Sequence, residues 1–113
     1  MELRCPDPAA NPYLVLAVCL EAGLDGIRNQ ITPPDAVTEN VFEMQLQQRA
    51  KLGIESLPGD LEQAVEELEK DDYIKNVLGG HITEKYLEAK KAEWADYRAQ
   101  VTEWEIEKYL YKI

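Results

Sequence analysis

From Tyr13 to Leu20 the chain reads Tyr-Leu-Val-Leu-Ala-Val-Cys-Leu, apolar at every position. A helix of this composition has no polar side, so the pattern predicts a helix surrounded by protein. Asn11 supplies the N-cap and Pro12 the first helical residue, where a missing N–H costs nothing. Gly23 to Gly26 marks the expected stop. Ahead of this helix, apolar Met1 and Leu3 alternate with charged Glu2 and Arg4, which is the period of a short strand stub. Pro6-Asp7-Pro8 then forces an extended turn, because neither proline can donate to a ladder or continue a helix.

Downstream the apolar positions thin out and become periodic. Thr32-Pro33-Pro34-Asp35 reads as a rigid loop, followed by a weak helical stretch from Met44 to Leu52 that stops at Gly53. After Leu57-Pro58-Gly59, Asp60 with Gln63 forms a capping-box-like start for a helix over Leu61 to Lys70. Leu61, Ala64, Val65 and Leu68 make its apolar stripe. Asp72 to Leu78 reads as a short helix closed by Gly79-Gly80. A longer helix from Thr83 to Gln100 carries Tyr86, Leu87, Lys90, Trp94 and Tyr97 along one side, and Thr102 with Glu105 caps a last helix through Trp104, Ile106 and Tyr109-Leu110. The predicted fold is mainly α, a bundle of about five or six helices with a short N-terminal strand stub. Leu14 to Leu20 are expected to pack on Leu61, Val65, Leu87 and Trp94. There is no internal repeat and no low-complexity tract.

Length and charge narrow the picture. A chain of 113 residues is at most one domain. A folded monomer of its mass would expose roughly 6,300 Å² where its unfolded chain exposes roughly 18,700 Å², so about two-thirds of the surface is available for burial. The 22 Asp and Glu outweigh 12 Lys and Arg, for a formal net charge of -10. That balance argues against a nucleic-acid or anionic-membrane surface, since phosphate binding needs clustered cations. The apolar run is far short of the ~20 residues of a bilayer span, and Met1-Glu2-Leu3-Arg4 lacks the order of a signal peptide. A cytoplasmic location follows as the expectation. Cys5 and Cys19 are expected to be reduced, with Cys19 in the core.

No complete catalytic constellation can be assembled from spacing. The lone His81 follows Gly79-Gly80, where a cap or surface group is its commoner role. Glu66, Glu67 and Glu69 read as a solvated helix face, and Trp94 with Tyr97 as packing, since no positive groove accompanies them. Glu2-x-Arg4 is the one pattern with chemical content. On a strand these side chains project the same way about 6–7 Å apart, placing a carboxylate on a divalent cation and a guanidinium on an anion that the cation holds. Taken alone, the tripeptide carries almost no signal and reads better as a surface ion pair.

Several long stretches resemble one family. Glu2-Leu3-Arg4-Cys5-Pro6-Asp7-Pro8-Ala9-Ala10-Asn11-Pro12-Tyr13-Leu14 and Ala22-Gly23-Leu24-Asp25-Gly26-Ile27 with Asn29 are similar to the C-terminal part of type I, bacterial and archaeal, glutamine synthetases. So are Glu39-Asn40-Val41-Phe42, Gly53-Ile54-Glu55-Ser56-Leu57-Pro58-Gly59, Glu88-Ala89-Lys90-Lys91-Ala92-Glu93-Trp94 and Trp104-Glu105-Ile106-Glu107-Lys108-Tyr109-Leu110. The resemblance implies that residues 1–113 are the C-terminal segment of an α+β catalytic domain that is incomplete here. The chain then reads as a fragment, natural or engineered, beginning within a catalytic strand.

For the full-length enzyme the resemblance implies ATP-driven ligation of ammonium to glutamate through a γ-glutamyl phosphate, with Mg²⁺ or Mn²⁺ and ATP as cosubstrate. Glu2 then corresponds to a metal ligand and Arg4 to a residue that reaches the substrate glutamate or the phosphoryl group. The other metal ligands and most of the nucleotide site belong upstream, so the chain alone is expected to be inactive and to bind no cofactor. Its implied partners are the rest of the subunit and neighbouring subunits in homo-oligomeric rings. Phe42 stands in the loop where enterobacterial members are adenylylated on tyrosine, and its lack of a hydroxyl excludes that modification there. The aromatic tail from Trp104 to Ile113 has two readings, a contact between rings or packing within the chain. The alternative to an enzyme piece is a stand-alone helical module that binds glutamine synthetase subunits or a regulator.

Overall fold

Asn11 fixes the start of the first long element: its Oδ1 accepts from the backbone N–H of Tyr13 at 3.0 Å and of Leu14 at 3.3 Å. From Pro12 the chain runs helical to Arg28 as α1. The computed structural model describes residues 2–110. Gly23 and Gly26 do not end α1, although each weakens it. Closure comes beyond them, where Ile31 N–H donates to the Gly26 carbonyl at 2.9 Å and Gln30 N–H to Ile27 at 3.3 Å. That pair of bonds satisfies the orphan carbonyls of the last turn and places Gln30 at φ 52°, a position that usually holds glycine.

The same closure recurs with the expected residue in the second helix. α2 spans Leu46–Lys51, inside the predicted limits, and Gly53 adopts φ 67° while Ile54 N–H donates to Arg49 and Gly53 N–H to Ala50. α3 spans Leu61–Lys70, with Asp60 accepting from Gln63 N–H at 2.8 Å. α4 spans Asp72–Leu78, capped by Asp71. Gly79, at φ 79°, turns the chain directly into α5, Gly80–Arg98, which begins three residues before the predicted Thr83. A short α6, Glu103–Glu105, carries the predicted Thr102 and Glu105 capping box and continues as a π-helical stretch over Ile106–Leu110.

The packing centres on α3, α4 and α5, which contact one another pairwise. Val65 is buried between these helices, and Thr83 is buried where α5 leaves the turn, its Oγ1 donating to the Lys75 carbonyl at 3.1 Å. Lys91 pairs with Glu69 across α5 and α3. Three expectations are corrected. α1 is not surrounded by protein: among the described residues α4 is the one helix packed on it, and Cys19 is half-buried. A crevice of about 170 Å³ lies among Leu14, Val15, Val18, Leu68, Ile74, Leu78 and Tyr86, where close packing on the α3 stripe was expected. Glu2 to Cys5 carry no regular structure, because no strand among the described residues offers a partner; Met1 lies outside them.

Burial falls short of what the mass allows. The chain exposes 10,110 Å², against roughly 6,300 Å² for a compact monomer, and buries under half of its unfolded surface. Met44 and Val65 are the buried hydrophobic residues among those described. The radius of gyration is 18.3 Å, where a compact domain of this length has about 13 Å.

Candidate functional site

Arg4 Nε donates to Glu2 Oε1 at 2.6 Å, so the two residues singled out in the sequence meet each other. Their side chains remain 85% and 72% exposed, which leaves both heads open to solvent. The alternation that placed them on one side does so without a strand. Beyond them, Asp7 Oδ1 accepts from Ala9 N–H at 2.7 Å and the Asp7 carbonyl from Ala10 N–H at 2.9 Å, a turn made rigid by Pro6 and Pro8. That turn delivers the chain into the Asn11 cap, so the ion pair sits one tight turn ahead of α1.

The turn also forms one wall of an open groove of about 790 Å³. Cys5, Asp7 and Asn11 face Pro58, Gly59 and Asp60 at the start of α3, and Tyr86, Lys90 and Glu93 line it from α5. Lys90 Nζ lies 2.6 Å from Glu93 Oε2 and 5.8 Å from the centre of the Tyr86 ring. The Glu93 hydrogen bond raises the Lys90 ammonium above its ordinary pKa, burial opposes that, and Glu93, Tyr86 and Asp7 reinforce it through their charge. Sequence reasoning placed Lys90 and Tyr86 on one helical side and missed the groove, since its walls come from three distant segments. The i, i+3 spacing of Lys90 and Glu93 was its only local sign.

The remaining candidates are scattered. His81 lies exposed in the first turn of α5 instead of in a loop. Glu66, Glu67 and Glu69 are exposed on α3, with Glu67 paired to Lys70 at 2.8 Å. Trp94 and Tyr97 stack at 5.8 Å, Trp94 half-buried and Tyr97 exposed. Phe42 is 95% exposed, its N–H bound by Asn40 Oδ1 at 3.2 Å. In the tail, Trp104 and Tyr109 meet edge to face at 5.9 Å, and among the described residues α6 and its π-helical continuation pack on no other helix. Residues 111–113 of the tail lie outside the described part.

Divalent cations such as Mg²⁺ need about six oxygen ligands. Among the described residues no group of three or more His, Cys, Asp or Glu is placed to hold a metal ion. Glu2 offers one carboxylate of the right chemistry, with no second ligand beside it among the described residues.

The family model described as glutamine synthetase, catalytic domain, matches residues 1–109. The chain belongs to the glutamine synthetase catalytic-domain family. It is 52% identical over 111 residues to a glutamine synthetase of Thermotoga maritima, covering 98% of this chain and 25% of that protein. To a glutamine synthetase of Methanocaldococcus jannaschii it is 50% identical over 110 residues, covering 97% of this chain and 24% of that one. A solved GmaS/ADP complex superposes with a TM-score of 0.82 at 41% identity, over 96% of this chain and 24% of that chain. The chain thus spans about a quarter of the length of the glutamine synthetases it matches, their C-terminal portion. Its helical architecture is that of the corresponding quarter of the solved relative. Among the described residues no helix is long and apolar enough to cross a membrane.

Proposed function

We propose that this chain acts as the C-terminal quarter of a glutamine synthetase, contributing Glu2 and Arg4 to an active site completed by the other three-quarters. The whole enzyme would ligate ammonium to the side-chain carboxylate of glutamate at the expense of ATP, in the cytoplasm, within a homo-oligomer. The observation that carries this reading is identity of about half, sustained along nearly the whole chain, to proteins named glutamine synthetase.

Glu2 would give one oxygen to a bound divalent cation, whose chemistry is to neutralise charge on phosphoryl oxygens. Arg4 would turn its guanidinium fork to a carboxylate or phosphoryl oxygen, a geometry for which arginine is suited. Both roles require the direct Glu2–Arg4 pair to open. An exposed pair of this kind is worth only about 0–1 kcal/mol, so competing ligands can separate it. The turn held by Asp7 keeps both residues in register with α1 while they exchange partners.

The test is ATP- and ammonium-dependent glutamine formation by the chain alone and mixed with the upstream portion of the Thermotoga maritima enzyme. Activity is expected only in the mixture, and is expected to fall at least about a hundredfold with Glu2→Ala or Arg4→Ala. An active mixture that tolerates both substitutions would overturn the assigned roles.

A further inference from the structure

Asp7 is exposed, and its hydrogen bonds are local: its carboxylate accepts from Ala9 N–H at 2.7 Å and its carbonyl from Ala10 N–H at 2.9 Å. Asp at the first position and Pro at the second are residues that such a turn favours. The helices behind it gain little from this corner. α1 has its own cap in Asn11, and the buried residues Val65 and Thr83 belong to α3 and α5. What the corner fixes is the chain ahead of it. Pro6 and Pro8 lock their own φ and restrict Cys5 and Asp7 before them, so all of residues 5–8 are held away from free rotation. The direction taken by Arg4 and Glu2 is therefore set at Asp7.

The corner also rests against α5. Tyr86 lines both the open groove that holds Cys5 and Asp7 and the apolar crevice that holds Ala10, so it borders the corner on two sides. Lys90, one helical turn further along, lines the same groove as Asp7 and is half-buried beside the Tyr86 ring. Its hydrogen bond to Glu93 is the largest influence raising its pKa, and the Asp7 carboxylate adds to the same effect by charge. Lys90 and Asp7 thus attract each other across the groove, one near the start of the chain and the other in its last long helix. An attraction between partly exposed charges contributes little to folding. It can still decide where a short segment points, because residues 2–5 carry no regular structure that would fix them otherwise.

We propose that Asp7 and Lys90 are positioning residues for the reaction: the Asp7 turn, braced by Lys90 of α5, aims Glu2 at the cation and Arg4 at the anionic group. The inference rests on the functional reading above and extends it to two residues behind the binding pair. Glu2 and Arg4 do the binding, and Asp7 and Lys90 set where their side chains arrive. Misplacing reacting groups by about 1 Å can cost about a hundredfold in rate, and losing the groups that hold metal ligands in place costs about 10–100-fold in metal affinity or activity.

The test uses the Thermotoga maritima enzyme with its matched quarter replaced by this chain. Mn²⁺ affinity is read from the free ion by electron paramagnetic resonance, alongside kcat, the KM for glutamate and the thermal midpoint. Asp7→Ala is expected to weaken Mn²⁺ binding and to lower kcat by about tenfold or more each, with the thermal midpoint kept. Asp7→Asn keeps an oxygen that accepts from Ala9 N–H and loses only the charge, so it should recover most of that loss and leave about threefold. Lys90→Met should also cost about threefold, and Asp7→Asn combined with Lys90→Met no more than either alone, because both remove one attraction. Glu88→Ala, on the exposed side of α5, should match the parent. Losses that multiply in the double variant, or Asp7→Ala with parental Mn²⁺ affinity and kcat, would overturn the proposal. So would a thermal midpoint that falls in step with activity, or an Asp7→Ala hybrid that does not fold, since either makes the role a structural one. A hybrid that stays active after Glu2→Ala and Arg4→Ala defeats the functional reading, whereas activity lost in those two and kept in Asp7→Ala defeats this inference alone.

Discussion

The Tyr73 hydroxyl donates to the backbone carbonyl of Glu21 at 3.0 Å, joining α4 to α1 across 52 positions of sequence. Glu21 Oε2 lies 3.4 Å from the same hydroxyl and 3.1 Å from Arg28 Nη1, so one phenol anchors a small polar knot. Burial against α1, followed by the charges of Asp25 and Glu21, raises the phenol above its ordinary pKa. Among the described residues no other side-chain hydrogen bond ties α1 to a neighbouring helix. Tyr73→Phe is therefore expected to loosen the attachment of α1 and to speed amide exchange along α1 far more than along α5, as hydrogen-exchange mass spectrometry would show.

Gln30 and Gly53 occupy the same position in two equivalent helix endings. A left-handed conformation costs a side-chain-bearing residue about 1–2 kcal/mol relative to its ordinary backbone, a cost glycine avoids. Gln30→Gly should raise the stability of α1 by up to about 1 kcal/mol, and Gly53→Ala should lower that of α2 by a similar amount. Urea titrations followed by circular dichroism check both, and opposite signs are the expected outcome.

Thr83 joins α5 to α4 through its hydrogen bond to the Lys75 carbonyl, which Gly79 N–H also reaches at 3.0 Å. Thr83→Val preserves the shape and deletes the hydroxyl. Since the carbonyl keeps its second donor, the expected loss is about 0.5–1 kcal/mol. Thr83→Ala should lose more, because it also removes a buried methyl group. A midpoint difference between these two variants in chemical denaturation separates the two contributions.

The tail is pH-sensitive through its cap. Glu105 Oε2 accepts from both the N–H and the hydroxyl of Thr102 at 2.8 Å, with the backbone bond contributing most, and these bonds hold its carboxyl below the ordinary value of 4.5. A carboxyl lowered on folding stabilises the folded cap above its unfolded pKa, and that contribution disappears as pH falls through the lowered folded value. Helical order over residues 103–110 should persist at pH 6 and fade on acidification below pH 4.5. Amide chemical shifts of Thr102 and Glu105 would follow it, and Glu105→Gln should abolish the pH step.

Much of the helical order was legible because it is written locally. Asp60 with Gln63 and Thr102 with Glu105 place two helix starts correctly, since a cap and its acceptor lie within one turn. The end of α1 was not legible: two glycines imitate a stop, whereas the closure uses Gln30, a residue that carries no such signal. Packing failed for a different reason. An all-apolar helix states that both of its sides will be covered, without stating that the cover is in the same 113 residues. Glu2 and Arg4 were singled out by their spacing, and in this structure they pair with each other. The Lys90 groove was hidden because residues from 5–11, 58–60 and 86–93 meet only in three dimensions.

The exposed side of α1 reverses the usual meaning of a hydrophobic position. In a self-contained protein, the leucines that resist replacement are those out of contact with water. Here Leu16 and Leu20 stand in water, so a substitution scan scored on folding of the chain alone will record them as permissive. Val65 and Thr83 will be recorded as intolerant. Scored on recovery of the whole enzyme, the same scan should move Leu16 and Leu20 into the intolerant class. The positions that change class between the two scans would mark a surface that the longer relatives cover.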